Sequence, residues 1–274
     1  MPVVPVLSLT HLVDRLRAAG CVFAEDEAAL LMASAREPDE LAALLARRVA
    51  GTPLEQVLGW AEFCGLRIRV EPGVFVPRRR TEFLVRQAAA VTRPGAVVVD
   101  LCCGSGAVGA ALGAALESAP GRPAELYAVD IEPAAVRCAR HNIAEAAGQV
   151  YLGDLYTPLP AALRGRVGVL VANAPYVPTE AIALLPPEAR DHEPRVALDG
   201  GTDGAALHRR VAAGALEWLA PGGRLLIETS ERQAALTARA VTDGGLDAEV
   251  VSSEELDATV VIGVAPDRRL GPPS

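Results

Sequence analysis

Four consecutive residues, Asn173-Ala174-Pro175-Tyr176, combine a side-chain amide, a stiffened backbone and a ring at the end of an apolar run, Val167 to Ala172. An apolar run of this kind reads as a buried central strand. Open α/β sheets bind ligands just outside the carboxyl ends of such strands. Taken alone, the same residues fit a plain strand–loop junction, because Asn and Pro are ordinary turn formers. Upstream features shift the balance. Gly104-Ser105-Gly106-Ala107-Val108-Gly109 fits the GxGxxG pattern between an expected strand and helix, and Asp130 follows Gly109 by 21 residues. An acid at that spacing suits the hydroxyls of a cofactor ribose. Asp100, read as part of the loop before the glycines, would repel a pyrophosphate but suits a cationic ligand such as an ammonium. Asp154 adds an acceptor where an adenine amino group could lie, although a solvated turn residue explains it almost as well. Three acids at successive strand ends, with no basic phosphate clamp, favour S-adenosylmethionine over a nicotinamide dinucleotide.

The elements that must position these residues follow from periodicity. Ser8 or Thr10 is expected to cap a first helix that Gly20 ends. A second helix is expected at about Glu25–Ser34, and a third runs from Pro38 to the stop at Gly51. Between 51 and 80, glycines and prolines punctuate a linker. Its Leu66–Val70 stretch alternates as a half-exposed strand does and is expected to form a hairpin with Val74–Val76. Thr81 is expected to cap a helix reaching about Val91. From residue 95 strands and helices alternate, which predicts a mainly parallel sheet. Strands are expected at Ala96–Leu101, Glu125–Asp130, Gln149–Leu152, Val167–Asn173, Arg224–Glu228, Ala248–Val251 and Thr259–Val264. Helices are expected at about Ala107–Glu117, Pro133–Ala147, Ala205–Leu219 and Arg232–Thr242. Residues 176–204 form a long insertion after the central strand, and long loops there tend to be functional. Pro266 to Ser274 reads as frayed. The expected organisation is α/β: a helical segment at 1–50, a hairpin linker at 51–80 and a sheet domain at 81–274.

Composition narrows the function classes. The chain has 274 residues, 51% of them hydrophobic, enough for a large core and too many for wholesale disorder. No apolar run approaches the roughly 20 residues that span a bilayer. Met1-Pro2-Val3-Val4-Pro5-Val6-Leu7 lacks the basic start and cleavage site of an export signal, so a cytoplasmic location is expected. The five cysteines form no CxxC pair, and the four histidines fall in no metal-binding arrangement. Free thiols and no metal are expected. The net charge is −8, and residues 1–79 hold 9 Arg against 10 acids, so no basic arm offers itself to nucleic acid.

Together these residues resemble the HemK/PrmC family of protein-(glutamine-N5) methyltransferases. The resemblance covers Gly51-Thr52-Pro53-Leu54, Glu62 to Leu66, Val76 to Glu82, Asp100 to Gly106, Val129-Asp130, Gly153-Asp154-Leu155, Asn173 to Tyr176, Glu193-Pro194 and Gly200 to Gly204. It implies a seven-stranded Rossmann-like methyltransferase sheet with its last strand antiparallel, behind a small N-terminal helical domain and a hairpin linker. It implies S-adenosylmethionine as cofactor and, as partner, a peptide chain release factor whose Gly-Gly-Gln glutamine is methylated. Carried over, Cys102, Cys103, Gly104, Ser105 and Gly106 would wrap the methionine moiety, Asp130 the ribose and Leu155 the adenine, with Asn173 beside the methyl donor. The tetrapeptide would then hold the glutamine amide through the Asn173 side-chain oxygen and the carbonyl of Ala174. This chain departs from the family at Ala174 and Arg79, where prolines are usual, and at Cys102, where glycine is usual. An adenine-N6 DNA methyltransferase and a non-catalytic S-adenosylmethionine-binding protein stay open as alternatives.

Overall fold

The computed structural model describes residues 8–117 and 123–267. The reading of Met1 to Leu7, and the frayed end beyond Asp267, lie outside the described residues. Three helices open the chain: α1 (Leu9–Ala18), α2 (Ala24–Ser34) and α3 (Pro38–Val49). Ser8 caps α1, its side chain accepting from the His11 N–H at 3.3 Å. Pro38 starts α3, where a missing N–H costs nothing, and Asp39 and Glu40 complement its dipole. Leu12, Leu16, Leu31 and Leu45 close a small core between them. A further short helix, α4 (Leu54–Leu58), joins this core through Val57; the linker's glycines and prolines had masked it.

The hairpin differs from the expected one. It pairs β1 (Trp60–Phe63) with β2 (Leu66–Arg69), antiparallel, around the tight Cys64-Gly65 turn. Both turn residues take positive φ, 51° at Cys64 and 74° at Gly65. Val74–Val76 forms no strand. Val74 and Val76 are buried as a coil segment, and Phe75 is turned to the main cavity. After a turn of 3₁₀ helix, Arg79–Thr81, comes α5 (Glu82–Val91). Thr81 does not cap it, because its backbone is already helical (φ −66°, ψ −15°) and its hydroxyl bonds elsewhere.

The remaining elements run β3 (Val97–Leu101), α6 (Ala107–Glu117), β4 (Glu125–Asp130), α7 (Pro133–Asn142), β5 (Gln149–Leu152), β6 (Val167–Ala172), α8 (Pro187–His192), α9 (Ala206–Trp218), β7 (Leu219–Thr229), α10 (Ala234–Asp243), β8 (Asp247–Ser253) and β9 (Ala258–Val264). Seven strands form one sheet in the order β5-β4-β3-β6-β7-β9-β8, in which β9 alone runs against the rest. Successive residues of a strand face opposite sides. Val98, Val169 and Val171 accordingly join the core under α5, α6 and α7, whereas Val97, Val99 and Leu170 join the one under α9 and α10. The order reverses between β3 and β6, a switch point that leaves a crevice at the carboxyl ends of β3, β4 and β6.

Candidate active site

That crevice is a cavity of about 870 Å³. On its wall lie Asp100, Cys102, Cys103, Gly104, Ser105, Asp130, Asp154, Leu155, Asn173, Ala174, Pro175 and Tyr176. Residues far apart in sequence thus meet at one place because the parallel strands β3, β4, β5 and β6 end there.

The glycine turn is built by backbone bonds. Cys103 N–H reaches the Val129 carbonyl at 3.0 Å, and Gly106 N–H turns back to the Cys103 carbonyl at 2.7 Å. Asp130, at the end of β4, accepts from Gly104 N–H (2.8 Å, Oδ2) and Glu132 N–H (2.9 Å, Oδ1). Each oxygen keeps a lone pair for a ligand hydroxyl, and burial raises the carboxyl's pKa against those two bonds. Gly106 is not on the cavity wall. A side chain there would sit 2.9 Å from both Cα and Cβ of Ala139, so this glycine lets α6 approach α7.

Asp100 is placed differently from the expectation. It lies within β3 rather than in the loop, is 1% exposed, and its Oδ2 accepts from the Gly109 N–H at 3.1 Å. It therefore secures the first turn of α6 from below while forming part of the cavity floor. Burial pushes its pKa up to about 8; the Gly109 bond opposes that and nearby Asp130 adds to it. Cys102 and Leu155 hold positive φ of 56° and 47°, conformations that ordinarily belong to glycine. Burial, with the acids Asp130, Asp100 and Asp154 around it, holds the Cys102 thiol protonated. Asp154 Oδ2 is engaged by Arg210 at 2.6 Å, at a half-exposed position on the rim.

The tetrapeptide follows β6 directly. Asn173 is half-buried, and Ala174 and Pro175 are buried. Among the described residues no hydrogen bond leaves the Ala174 N–H. Several supporting residues carry no sequence signal of their own. Gln233 donates from one amide nitrogen to the carbonyls of Tyr176 (2.7 Å) and Asp203 (3.0 Å). His208, fully buried, bonds Thr237 through Nδ1 at 2.8 Å, and burial lowers its pKa to about 4, so it is neutral. Burial, and after it the Glu228 carboxylate that the Tyr176 O–H approaches at 3.5 Å, lifts the phenol to about 12. On the opposite wall Glu193 accepts from Arg78 (2.6 Å) and from the Val76 N–H (3.3 Å), tying the insertion to the linker. Glu193 and Arg78 lie in stretches that carried the family resemblance and Tyr176 in the tetrapeptide, whereas Gln233, His208 and Glu228 had no signal in spacing, since each meets its partner only after the sheet has formed.

The Methyltransferase small domain family matches residues 65–184. A release factor glutamine methyltransferase of Mycolicibacterium smegmatis is 39% identical over 237 residues, covering 84% of this chain and 82% of the relative. One from Geobacter sulfurreducens is 40% identical over 202 residues, covering 72% and 68%. In fold the chain is similar to a methyltransferase of Pyrococcus furiosus, with a TM-score of 0.53 at 16% identity over 81% of this chain and 97% of that one.

Proposed function

This chain belongs to the family of release factor glutamine methyltransferases, and from that premise we infer which residues do the work. The protein transfers a methyl group from S-adenosylmethionine to the side-chain amide nitrogen of a glutamine in a peptide chain release factor. The finer assignments are our reading: the acceptor is the glutamine of the Gly-Gly-Gln loop, and the reaction takes place in the cytoplasm. No helix among the described residues is long and apolar enough to cross a membrane.

The residues present fit the cofactor. A turn from Cys102 to Ser105 offers a close backbone surface, and Asp130 keeps free lone pairs facing the cavity. Asp100 supplies a carboxyl group beneath the amino acid moiety, and a bound cation there would favour its ionised form against the burial that raises its pKa. Leu155 gives an apolar face for the adenine, and the second oxygen of Asp154 an acceptor for its amino group. S-adenosylmethionine supplies an electrophilic methyl on a sulfonium, whose bonding pair returns to sulfur when that bond breaks.

The protein's own task is to aim a poor nucleophile. A carboxamide nitrogen has a delocalised lone pair, so orientation carries much of the work. The Asn173 Oδ1 accepts one N–H of the target amide and the Ala174 carbonyl accepts the other. Two acceptors in a dehydrated site also stabilise the positive charge that grows on nitrogen. Tyr176 packs against the target side chain. No strong base is required, because the N-methylated cationic amide is acidic enough to lose its proton to water. The observation that carries this reading is the placing of Asn173 and Ala174 on the same cavity wall as Asp130 and the glycine turn. Mass spectrometry of a release factor co-expressed with this protein tests it. A single methyl on the Gly-Gly-Gln glutamine is expected. An unmodified glutamine beside a fully active, S-adenosylmethionine-binding protein would overturn it.

A further inference from the structure

Ala181-Ile182-Ala183-Leu184-Leu185-Pro186-Pro187 is an uninterrupted apolar run inside the insertion, flanked by Glu180 and Glu188. Apolar runs fold so as to leave water, and Val167–Ala172 does so, with every residue but Gly168 buried. None of residues 181–187 is buried. Leu184 is 86% exposed, more than any other large apolar residue among those described. The 3₁₀ turn Thr179–Leu184 and α8 contain no buried residue at all. Single exposed apolar side chains are ordinary on a protein surface, whereas a contiguous patch marks a place that something covers.

The run is anchored at both ends. Before it, the Thr179 N–H donates to the Gly201 carbonyl at 3.0 Å and the Thr179 hydroxyl to Asp199 Oδ1 at 2.7 Å. After it, Glu188 accepts from Arg48 of α3, and Glu193 accepts from Arg78 and the Val76 N–H. Between those anchors the backbone bonds are local ones, Leu185 N–H to the Ile182 carbonyl and Ala189 N–H to the Pro186 carbonyl. Leu185 and Pro186, with Ala189 and Val196 farther along the insertion, line the cavity that also holds Asn173 and Ala174. Leu184, next to them in the chain, does not line it.

We propose that residues 181–187 form an apolar lip on which the release factor docks, through apolar side chains that flank its acceptor glutamine. A glutamine carries only two methylenes between its backbone and its amide. The amide therefore reaches Asn173 only if that backbone comes down to the cavity mouth. The residues on either side then lie over the edge, where Leu185 and Pro186 lead out to Leu184. Glycines beside the glutamine suit this contact, because a backbone without side chains approaches a wall closely and leaves its more distant neighbours to cover Leu184. A second copy of this chain on the lip would close the cavity to its acceptor, so self-association there would oppose turnover. The identity of the partner rests on the functional reading above, whereas the exposed run at the mouth stands without it.

Leu184→Asp changes a side chain that neither lines the cavity nor packs in the core. It should raise the KM for folded release factor about 10-fold or more, the effect of losing one buried leucine contact, with kcat and S-adenosylmethionine affinity unchanged. Leu184→Met, which stays apolar, should recover most of that loss. A second measurement needs no turnover: hydrogen exchange across residues 180–190 should slow when release factor and S-adenosylhomocysteine are added to the wild type, and slow less in Leu184→Asp at the same concentrations. A wild-type KM in Leu184→Asp, or no protection of 180–190 by a release factor that is methylated, would overturn the lip. Losses of kcat and cofactor affinity as large as the change in KM would overturn it too, because Leu184 would then support the site and not the partner. A wild-type dimer that Leu184→Asp dissociates would make a second copy the occupant, against the proposal. A release factor that the wild type leaves unmethylated, and that has no effect on the exchange, would overturn the functional reading and the partner with it, a pattern distinct from methylation that ignores Leu184.

Discussion

Two residues on the cavity wall, Asp100 and Ala174, each make a prediction. Asp100 is buried beside Asp130, with its pKa raised by burial to about 8. An unfolded Asp titrates near 3.9. Between those values the folded protein holds a proton that the unfolded chain has lost, so its stability falls as pH rises through that interval and levels off above about 8. Asp100→Asn cannot titrate and can still accept from the Gly109 N–H. Its melting temperature should therefore match the wild type in acid and exceed it by a few degrees at alkaline pH, while its affinity for the cationic cofactor falls. Melting curves across pH with calorimetry of S-adenosylmethionine binding check this, and parallel pH profiles for the two proteins would refute it. Ala174 concerns the backbone. Among the described residues its N–H makes no bond, so Ala174→Pro removes no bond seen there while keeping the carbonyl. Proline also biases Asn173 towards extended geometry and restricts the unfolded chain, a gain of roughly 0.4–1 kcal/mol where the ring fits. Equal or slightly higher stability and activity are expected; a joint loss of both would mean that the buried site has no room for the ring.

At the scale of elements, the sequence was most legible where local pattern and final environment agree. Glu125–Asp130, Gln149–Leu152 and Ala107–Glu117 end where periodicity put them, because a fully buried strand or a glycine-started helix has few ways to be read. Helix α7 stops at Asn142, short of the expected Ala147; the chain goes on in turns that end with Ala147 at a positive φ of 51° and the Gly148 N–H on the Ile143 carbonyl, while the Asn142 side chain donates to the carbonyls of Arg69 and Ser105. Strand β7 starts five residues earlier than expected, since the Ala220-Pro221-Gly222-Gly223 stretch, which reads as a turn, is absorbed by a register shift against β6. The candidate site was legible in the residues that line it and illegible in those that support it. His208, Glu228 and Gln233 look like ordinary helix and strand residues until tertiary contacts give them partners, and Thr81, on the cavity wall, reads from sequence only as a helix cap. The insertion shows how much depends on such contacts. Gln233 clamps its two ends together at Tyr176 and Asp203, and Gly204 (φ 75°) leaves the space for the clamp. A Cβ at Gly204 would lie 1.9 Å from Gln233 Nε2 and 2.4 Å from the Tyr176 carbonyl. Gly204→Ala should thus cost about 1–3 kcal/mol and reduce methyl transfer more than cofactor binding. Thermal melts and steady-state kinetics test it, and an unchanged kcat would show that the neck of the insertion does not set the tetrapeptide.

For the molecule as a whole, the N-terminal helices are joined to the insertion by one guanidinium. Arg48 of α3 bonds Glu27 of α2 through two nitrogens (2.6 and 3.0 Å), the Thr52 carbonyl at 3.2 Å and Glu188 of α8 at 2.6 Å. The Arg48 side chain is 7% exposed and that of Glu27 11%, whereas Glu188 is 46% exposed. The two acids should therefore behave differently. Removing Glu27 takes away the buried partner of Arg48 and two of its bonds, leaving only the Thr52 carbonyl and the half-exposed Glu188, and breaking a buried pair from one side typically costs about 3–5 kcal/mol. Removing Glu188 leaves Arg48 paired and breaks a bond that water can replace, worth about 0–1 kcal/mol. The consequences for function run the other way. Glu188 lies on the helix that follows Leu185 and Pro186 and precedes Glu193, residues on the cavity wall, so this bond joins the helical segment to that wall of the cavity. Glu27→Ala should lower the melting temperature markedly while the folded fraction keeps a near-normal KM for release factor. Glu188→Ala should melt almost as the wild type does and raise that KM, with S-adenosylmethionine affinity unaltered. Denaturant unfolding and kinetics on the two variants decide the matter: if Glu188→Ala leaves the KM untouched, the Arg48 junction holds the fold together and takes no part in presenting the substrate.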